Sequence, residues 1–73
     1  MIGFLLNGTE EREMEYIIRR ELEEILLDMD DHRIDHVVKH VMQERYQTLF
    51  NLYRRIASRR ECLKYMPKRT GDR

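Results

Sequence analysis

Residues 42–56 read MQERYQTLFNLYRRI, and apolar side chains recur along this stretch with the spacing of a coiled-coil seam. The seam residues, at intervals of four, three, four and three, are Met42, Tyr46, Leu49, Tyr53 and Ile56. Such spacing keeps the side chains on one face of an α-helix. Phe50 and Leu52 flank that face and widen the apolar sector to about 160°, more than one partner helix covers.

A second apolar stripe precedes this seam along the chain. It consists of Ile34, Val37, Val38 and Val41. The two stripes meet at Val41 and Met42 with a shift of one residue. We therefore expect the core face of the helix to rotate at that point.

The first third of the chain has the pattern of an amphipathic helix that begins at residues 8–10. Apolar residues at helical spacing are Met14, Ile17, Ile18, Leu22, Ile25 and Met29. Asn7 is a favourable N-cap, and Glu10 stands three residues later, as a capping box requires. Thr9 is the competing cap.

The segment Asp28–Asp31 is the predicted chain reversal, because aspartates favour turns and helix caps. A second helix is expected to start at Asp31 or His32 and to run to Met66, where Pro67 stops it. Residues 10–66 contain neither glycine nor proline. Ser58 is the one position at which the pattern allows a break.

The sequence therefore predicts an all-α fold, a two-helix antiparallel hairpin with a long second helix. The first helix would span about 28 Å and the second about 52 Å, so the first covers the second only to about Phe50. Either a second copy or the segment Ile2–Leu6 must cover the remaining apolar sector. We expect a homodimer that forms a four-helix bundle. The 73 residues form one domain, with an apolar arm at 1–7 and a flexible basic tail at 67–73.

Charge is balanced overall but sorted along the chain. Lys and Arg number 14, as do Asp and Glu, but residues 10–31 carry ten acidic side chains against three Arg. Residues 54–73 carry eight basic side chains against two acidic ones. The opposite charges either pair within the hairpin or dimer, or leave a basic end for an anionic partner.

Cys62 is the single cysteine, which favours a cytoplasmic location, and no apolar run predicts a membrane span.

The sequence predicts no enzyme and no cofactor, because the common nucleotide-binding and catalytic motifs are missing. His32, His36, His40 and Glu44 stand at successive four-residue intervals, which is a possible metal-binding ridge. The helical wheel places this ridge on the solvent side. We therefore expect solvated histidines and no metal site.

The end of the second helix is the predicted partner-binding surface. Its residues are Arg59, Arg60, Leu63, Lys64, Tyr65 and Met66. Aromatic residues, Met and Arg are typical of binding patches. The predicted function is non-enzymatic: a small regulator, adaptor or inhibitor that binds another protein. The alternatives are a nucleic-acid-binding accessory protein that uses the basic C-terminal helix, and a structural subunit of a larger assembly.

Overall fold

The fold consists of three α-helices. A computed structural model describes residues 1–67, and its helices span Gly8–Met29 (α1), His36–Tyr53 (α2) and Arg59–Tyr65 (α3). No strand occurs within that range, so the predicted all-α class is confirmed. The predicted single long second helix is wrong, because α2 and α3 are separated by a bend at residues 54–58.

The capping box at the start of α1 is confirmed. The Asn7 Oδ1 atom accepts a hydrogen bond from the Glu10 backbone N–H at 2.9 Å. The Glu10 Oε1 atom accepts one in return from the Asn7 backbone N–H at 3.0 Å. These two bonds satisfy donors that have no partner inside the helix, and they fix where α1 begins.

The connection from α1 to α2 is longer than predicted. The Asp31 carboxylate binds within the connection, accepting from the backbone N–H of Arg33 at 2.9 Å and from its guanidinium at 2.9 Å. Asp35 caps α2 instead, since its Oδ1 atom accepts from the Val37 N–H at 2.8 Å. The start of α2 lies later than predicted because the Asp31 side chain binds Arg33 and does not cap the helix.

The bend between α2 and α3 has its own cap. Ser58 adopts an extended conformation (φ −68°, ψ 158°), and its Oγ atom accepts from the Glu61 backbone N–H at 3.3 Å. This is the position at which the sequence allowed a break. The bend turns α3 back, so that Cys62 and Tyr65 reach the core.

The core lies where all three helices meet. Its buried residues are Ile18, Leu22 and Ile25 of α1, Tyr46, Phe50 and Tyr53 of α2, and Cys62 of α3. An ion pair between Arg45 and Glu21, 3.0 Å long, also joins α2 to α1. The core is therefore built by three helices, where the sequence suggested two helices and a second copy.

The seven residues predicted for the core or dimer seam divide into three groups. Tyr46, Phe50 and Tyr53 are buried. Three others pack half-buried against the core, namely Met42, Leu49 and Ile56. Leu52 is 42% exposed.

The stripe of Ile34, Val37, Val38 and Val41 does not form part of the core, contrary to expectation. Val37 is 70% exposed and Val41 is 56% exposed. The core face of α2 is the seam around Tyr46, Phe50 and Tyr53, which turns the valines outward. The arm also contributes nothing to the core, since Ile2, Phe4 and Leu5 are exposed.

The predicted basic tail falls mostly on residues 68–73, outside the described range. Within residues 1–67, no helix is both long and apolar enough to cross a membrane.

Candidate interaction surface

Tyr65 fixes the place of α3 on the other two helices. Its hydroxyl donates a 2.6 Å hydrogen bond to the Glu23 carboxylate of α1. Its backbone carbonyl accepts a 2.6 Å bond from the Tyr46 hydroxyl of α2. Its ring also meets Tyr53 edge to face, with centroids 5.7 Å apart. Three contacts of different kinds thus position the end of one short helix. We call the contacted residues Glu23, Tyr46 and Tyr53 the α3 seat.

The tyrosines of this region have raised pKa values. Burial raises the pKa of Tyr46 and that of Tyr53. Burial and the hydrogen bond to the Glu23 carboxylate raise the pKa of Tyr65 to about 12. All three side chains are neutral near pH 7, as an ordinary tyrosine is, and Tyr46 and Tyr65 donate hydrogen bonds through their hydroxyls.

A groove runs beside the docked end of α3. Its lining residues are Leu26, Met29 and Asp30 at the end of α1, Gln43, Tyr46 and Gln47 of α2, and Lys64, Tyr65, Met66 and Pro67 at the end of α3. Apolar side chains with a few polar groups are the usual lining of a binding groove.

The outer face of α3 carries most of the predicted partner-binding residues. Leu63 is 59% exposed and Met66 is 57% exposed. Arg59 and Arg60 are exposed, and neither forms an ion pair within residues 1–67. This arrangement has apolar side chains at its centre and positive charge beside them. We call Arg59, Arg60, Leu63 and Met66 the α3 patch.

Two of the six predicted residues are engaged inside the chain. The Lys64 ammonium pairs with the Glu61 carboxylate at 3.1 Å, one turn away on the same helix. Tyr65 is half-buried and holds α3 in place. Five of the six predicted residues are exposed, and Lys64, although exposed, is paired with Glu61 and lines the groove.

The groove residues on α1 and α2 were missed by the sequence analysis. Leu26 lies outside the apolar stripe of α1 and is 43% exposed at the groove. The signal available in the sequence was this apolar residue outside the core-facing stripe. The bend at Ser58 brings residues 64–67 to the groove, and helical periodicity alone does not predict that bend.

The histidine ridge is exposed. His40 Nε2 lies 3.8 Å from the Glu44 carboxylate, and His32 and His36 are exposed as well. Residues 1–67 contain no group of three or more His, Cys, Asp or Glu side chains arranged to hold a metal ion.

A second apolar surface lies on the flank marked by the Glu21–Arg45 ion pair. Ile17 is one helical turn from Glu21, and Val38, Val41 and Leu52 are seven, four and seven residues from Arg45. These spacings place all four side chains on the flank of the ion pair. All four are between 42% and 56% exposed. We call Ile17, Val38, Val41 and Leu52 the open side.

Comparison with known proteins gives no match: no family model, no curated protein and no solved structure matches the chain. Function must therefore be argued from the α3 patch, the groove and the open side.

Proposed function

We propose that this protein is a small helical protein–protein interaction module, with no catalytic activity of its own, that regulates, adapts or inhibits a partner protein. The observation that carries the proposal is the α3 patch beside the groove. Leu63 and Met66 expose most of their side chains, and Arg59 and Arg60 border them. Apolar anchors with a charged rim are typical of protein-binding surfaces.

The chemistry of the patch favours a partner segment that is apolar and acidic. Met66 belongs to both the α3 patch and the groove wall, so one segment can contact both. Its apolar side chains would pack on Leu63, Met66 and Leu26. Its carboxylates would face Arg59 and Arg60, which steer the encounter more than they strengthen the complex.

The test compares two exposed leucines by photo-crosslinking in the native host. A photoreactive side chain at Leu63 should capture a defined partner, whereas the same group at Leu27, which is 73% exposed on α1, should not. Leu63→Ser should then weaken binding of the purified partner at least about tenfold, and Leu27→Ser should leave it unchanged. Equal crosslinking at the two positions would refute the proposed surface.

The alternative function is nucleic-acid binding by the bend and α3. Its support is that Arg54, Arg55, Arg59 and Arg60 are exposed and form no ion pairs within residues 1–67. Phosphate contacts give a steep dependence of affinity on salt, and apolar anchoring does not. Binding to single-stranded and duplex oligonucleotides from 50 to 200 mM salt would decide between the two functions.

The proposal includes a homodimer in which two α1–α2 hairpins form a four-helix bundle. Because α3 covers the seam that was first expected to contact the second copy, we propose the open side as the dimer interface. The half-exposed side chains there are Ile17, Val38, Val41 and Leu52. The same surface on both copies can meet itself in a two-fold dimer.

A cytoplasmic location is also part of the proposal. The single cysteine, Cys62, is buried as a free thiol, which suits a reducing compartment. Fractionation of the native host with an antibody against this chain would test the location.

A further inference from the structure

The bend between α2 and α3, at residues 54–58, keeps helix-like backbone hydrogen bonds as far as Ala57, although Arg55 and Ile56 donate to the third residue before them, at 3.1 Å each. The Arg54 N–H donates to the Phe50 carbonyl at 2.9 Å, and the Ala57 N–H donates to the Tyr53 carbonyl at 2.9 Å. Both are bonds of the helical type, from each residue to the fourth one before it. The Cys62 N–H makes the next such bond, to the Ser58 carbonyl at 3.0 Å. Ser58 lies between these two segments in an extended conformation, with ψ of 158°.

The local sequence does not require this bend. Residues 54–57 are Arg, Arg, Ile and Ala, of which Arg and Ala are strong helix formers, and neither Gly nor Pro is present. Rotation of Ser58 into the helical region, with the Arg55 and Ile56 bonds converted to the α-helical type, would join α2 and α3 into one helix, His36–Tyr65. The Ser58 cap and the contacts of α3 with its seat are what hold the bent form.

Each contact with the α3 seat can be made equally well by another copy of the chain. The Tyr65–Glu23 bond, the Tyr46–Tyr65 bond and the Tyr53–Tyr65 ring contact all join α3 to α1 or α2. None of them depends on the connection through the bend. We propose that α2 and α3 straighten at Ser58 and that two copies exchange α3, each placing it in the α3 seat of the other.

The exchanged dimer needs no new interface chemistry. It remakes the same hydrogen bonds, and it exchanges two Ser58 caps for uninterrupted helical hydrogen bonding, so it is a low-cost route to association. A short tether gives intramolecular docking an effective concentration in the millimolar range, so the bent monomer dominates at micromolar concentration. This dimer goes beyond the proposed homodimer, because it uses the α3 seat, whereas the four-helix bundle uses the open side and keeps the bend.

Two substitutions of Ser58 form a matched test. Ser58→Ala removes the cap and favours a continuous helix, whereas Ser58→Asp keeps a strong cap and the bend. Loss of one Ser58 cap shifts the equilibrium from the bent to the straight form by about fivefold. The dimer contains two such hinges, so Ser58→Ala should lower its dissociation constant roughly 25-fold. Ser58→Asp should not lower it. Sedimentation equilibrium across micromolar to millimolar concentration measures both, and equal constants for the two variants would overturn the exchange.

The distance between Val37 and Leu63 separates exchange from the bundle. Both residues are exposed, and in the bent form the Tyr46–Tyr65 bond keeps α3 folded back toward α2. In a straight helix these two residues, 26 positions apart, are separated by about 39 Å. Spin labels at both positions, in a Cys62→Ala background and diluted with unlabelled chain, should report that length in Ser58→Ala dimers.

A Ser58→Ala dimer that keeps the short distance would overturn the exchange while leaving the bundle intact. Circular dichroism establishes that the variant is folded. If Ser58→Ala does not fold, the unmodified protein at millimolar concentration gives the same answer: a fraction of long distances that Ser58→Asp abolishes supports exchange, and its absence refutes it. Val41→Glu, on the open side, should affect only the bundle.

Discussion

The two flanks of the α1–α2 pair bury apolar surface in different ways. On the flank that holds the α3 seat, the tyrosines at 46, 53 and 65 pack with Cys62, and two hydroxyl bonds of 2.6 Å fix their arrangement. On the open side the residues are aliphatic, and among residues 1–67 the only polar link between α1 and α2 there is the Glu21–Arg45 pair. One flank has a partner built into the chain, and the other leaves Ile17 and Val41 half-exposed.

The difference shows how polar groups add specificity to an apolar contact. Apolar burial is non-directional, so the open side accepts any complementary surface. Tyrosine hydroxyls at the α3 seat require an acceptor at a defined position. A seven-residue helix, too short to be stable alone, is consequently held in one orientation.

The largest effect should separate the core from the open side. Leu22 is fully buried between the helices, so Leu22→Ala should lower the free energy of unfolding by about 2–5 kcal/mol. Val41→Ala, at a residue 56% exposed, should change it by less than about 0.5 kcal/mol. Urea denaturation at low micromolar concentration, where a dimer contributes least, measures both. Similar losses in the two variants would mean that the open side is already covered.

The next prediction concerns the homodimer. Val41→Glu adds a charge on the open side and should raise the dimer dissociation constant at least about tenfold, because the carboxylate would be desolvated at the interface and Arg45, four residues away, is already paired with Glu21. Leu27→Glu adds the same charge at an exposed residue away from both flanks and serves as the control. Sedimentation velocity reports the dimer, and equal behaviour of the two variants would remove the open side from the interface.

How much of this fold the sequence could predict depends on how local each feature is. The capping box consists of Asn7 and Glu10, which are three residues apart, and its prediction is confirmed. The bend at residues 54–58 is not local, since Arg and Ala there favour a helix, and the contacts of Tyr65 and Cys62 hold it. For this reason the periodicity predicted one long helix.

The same distinction applies to the surfaces. The sequence showed two apolar stripes on the second helix, and because both have helical spacing it predicted that the core face rotates from one to the other, whereas only the seam packs in the core. It predicted the exposed Leu63 and Met66 as a patch, and their position beside the groove emerged only with the bend. Tyr65 was grouped with that patch because its hydrogen bond to Glu23 joins residues 42 positions apart.

A smaller effect should follow from loss of one hydroxyl at the α3 seat. Tyr46→Phe removes the donor to the Tyr65 carbonyl and should lower the free energy of unfolding by about 0.5–1.5 kcal/mol. Tyr16→Phe, at a tyrosine 45% exposed, should have almost no effect. Hydrogen exchange should show faster opening of α3 in the first variant only. Unchanged α3 protection in Tyr46→Phe would contradict the assigned role.

Alkaline pH should weaken the same seat. The pKa of folded Tyr65, about 12, lies above the value near 10 of an unfolded tyrosine. The folded state holds this proton more tightly, so the stabilisation is complete below about pH 10 and is lost as pH rises from about 10 to 12. Urea titrations at pH 9 and 11 should show a smaller loss in Tyr65→Phe than in the unmodified protein. An identical loss would assign the titration to other groups.

The smallest effect, and the sharpest test of the tyrosine flank, is expected at Tyr53. Its side chain is fully buried, but its hydroxyl has no hydrogen-bond partner within residues 1–67. The nearby Arg19 guanidinium has its pKa raised by this hydroxyl, although the two do not meet in hydrogen-bond geometry. A buried hydroxyl without a partner loses its hydration and gains no hydrogen bond, so Tyr53→Phe should leave the free energy of unfolding unchanged or raise it by up to about 1 kcal/mol.

Tyr46→Phe is the matched control, since it removes the same atom from a buried tyrosine two turns earlier on α2, where the hydroxyl is hydrogen-bonded. Urea denaturation of the two variants side by side should give opposite signs or a clear gap, and equal losses would show that the Tyr53 hydroxyl is paired in solution through Arg19 or a bound water.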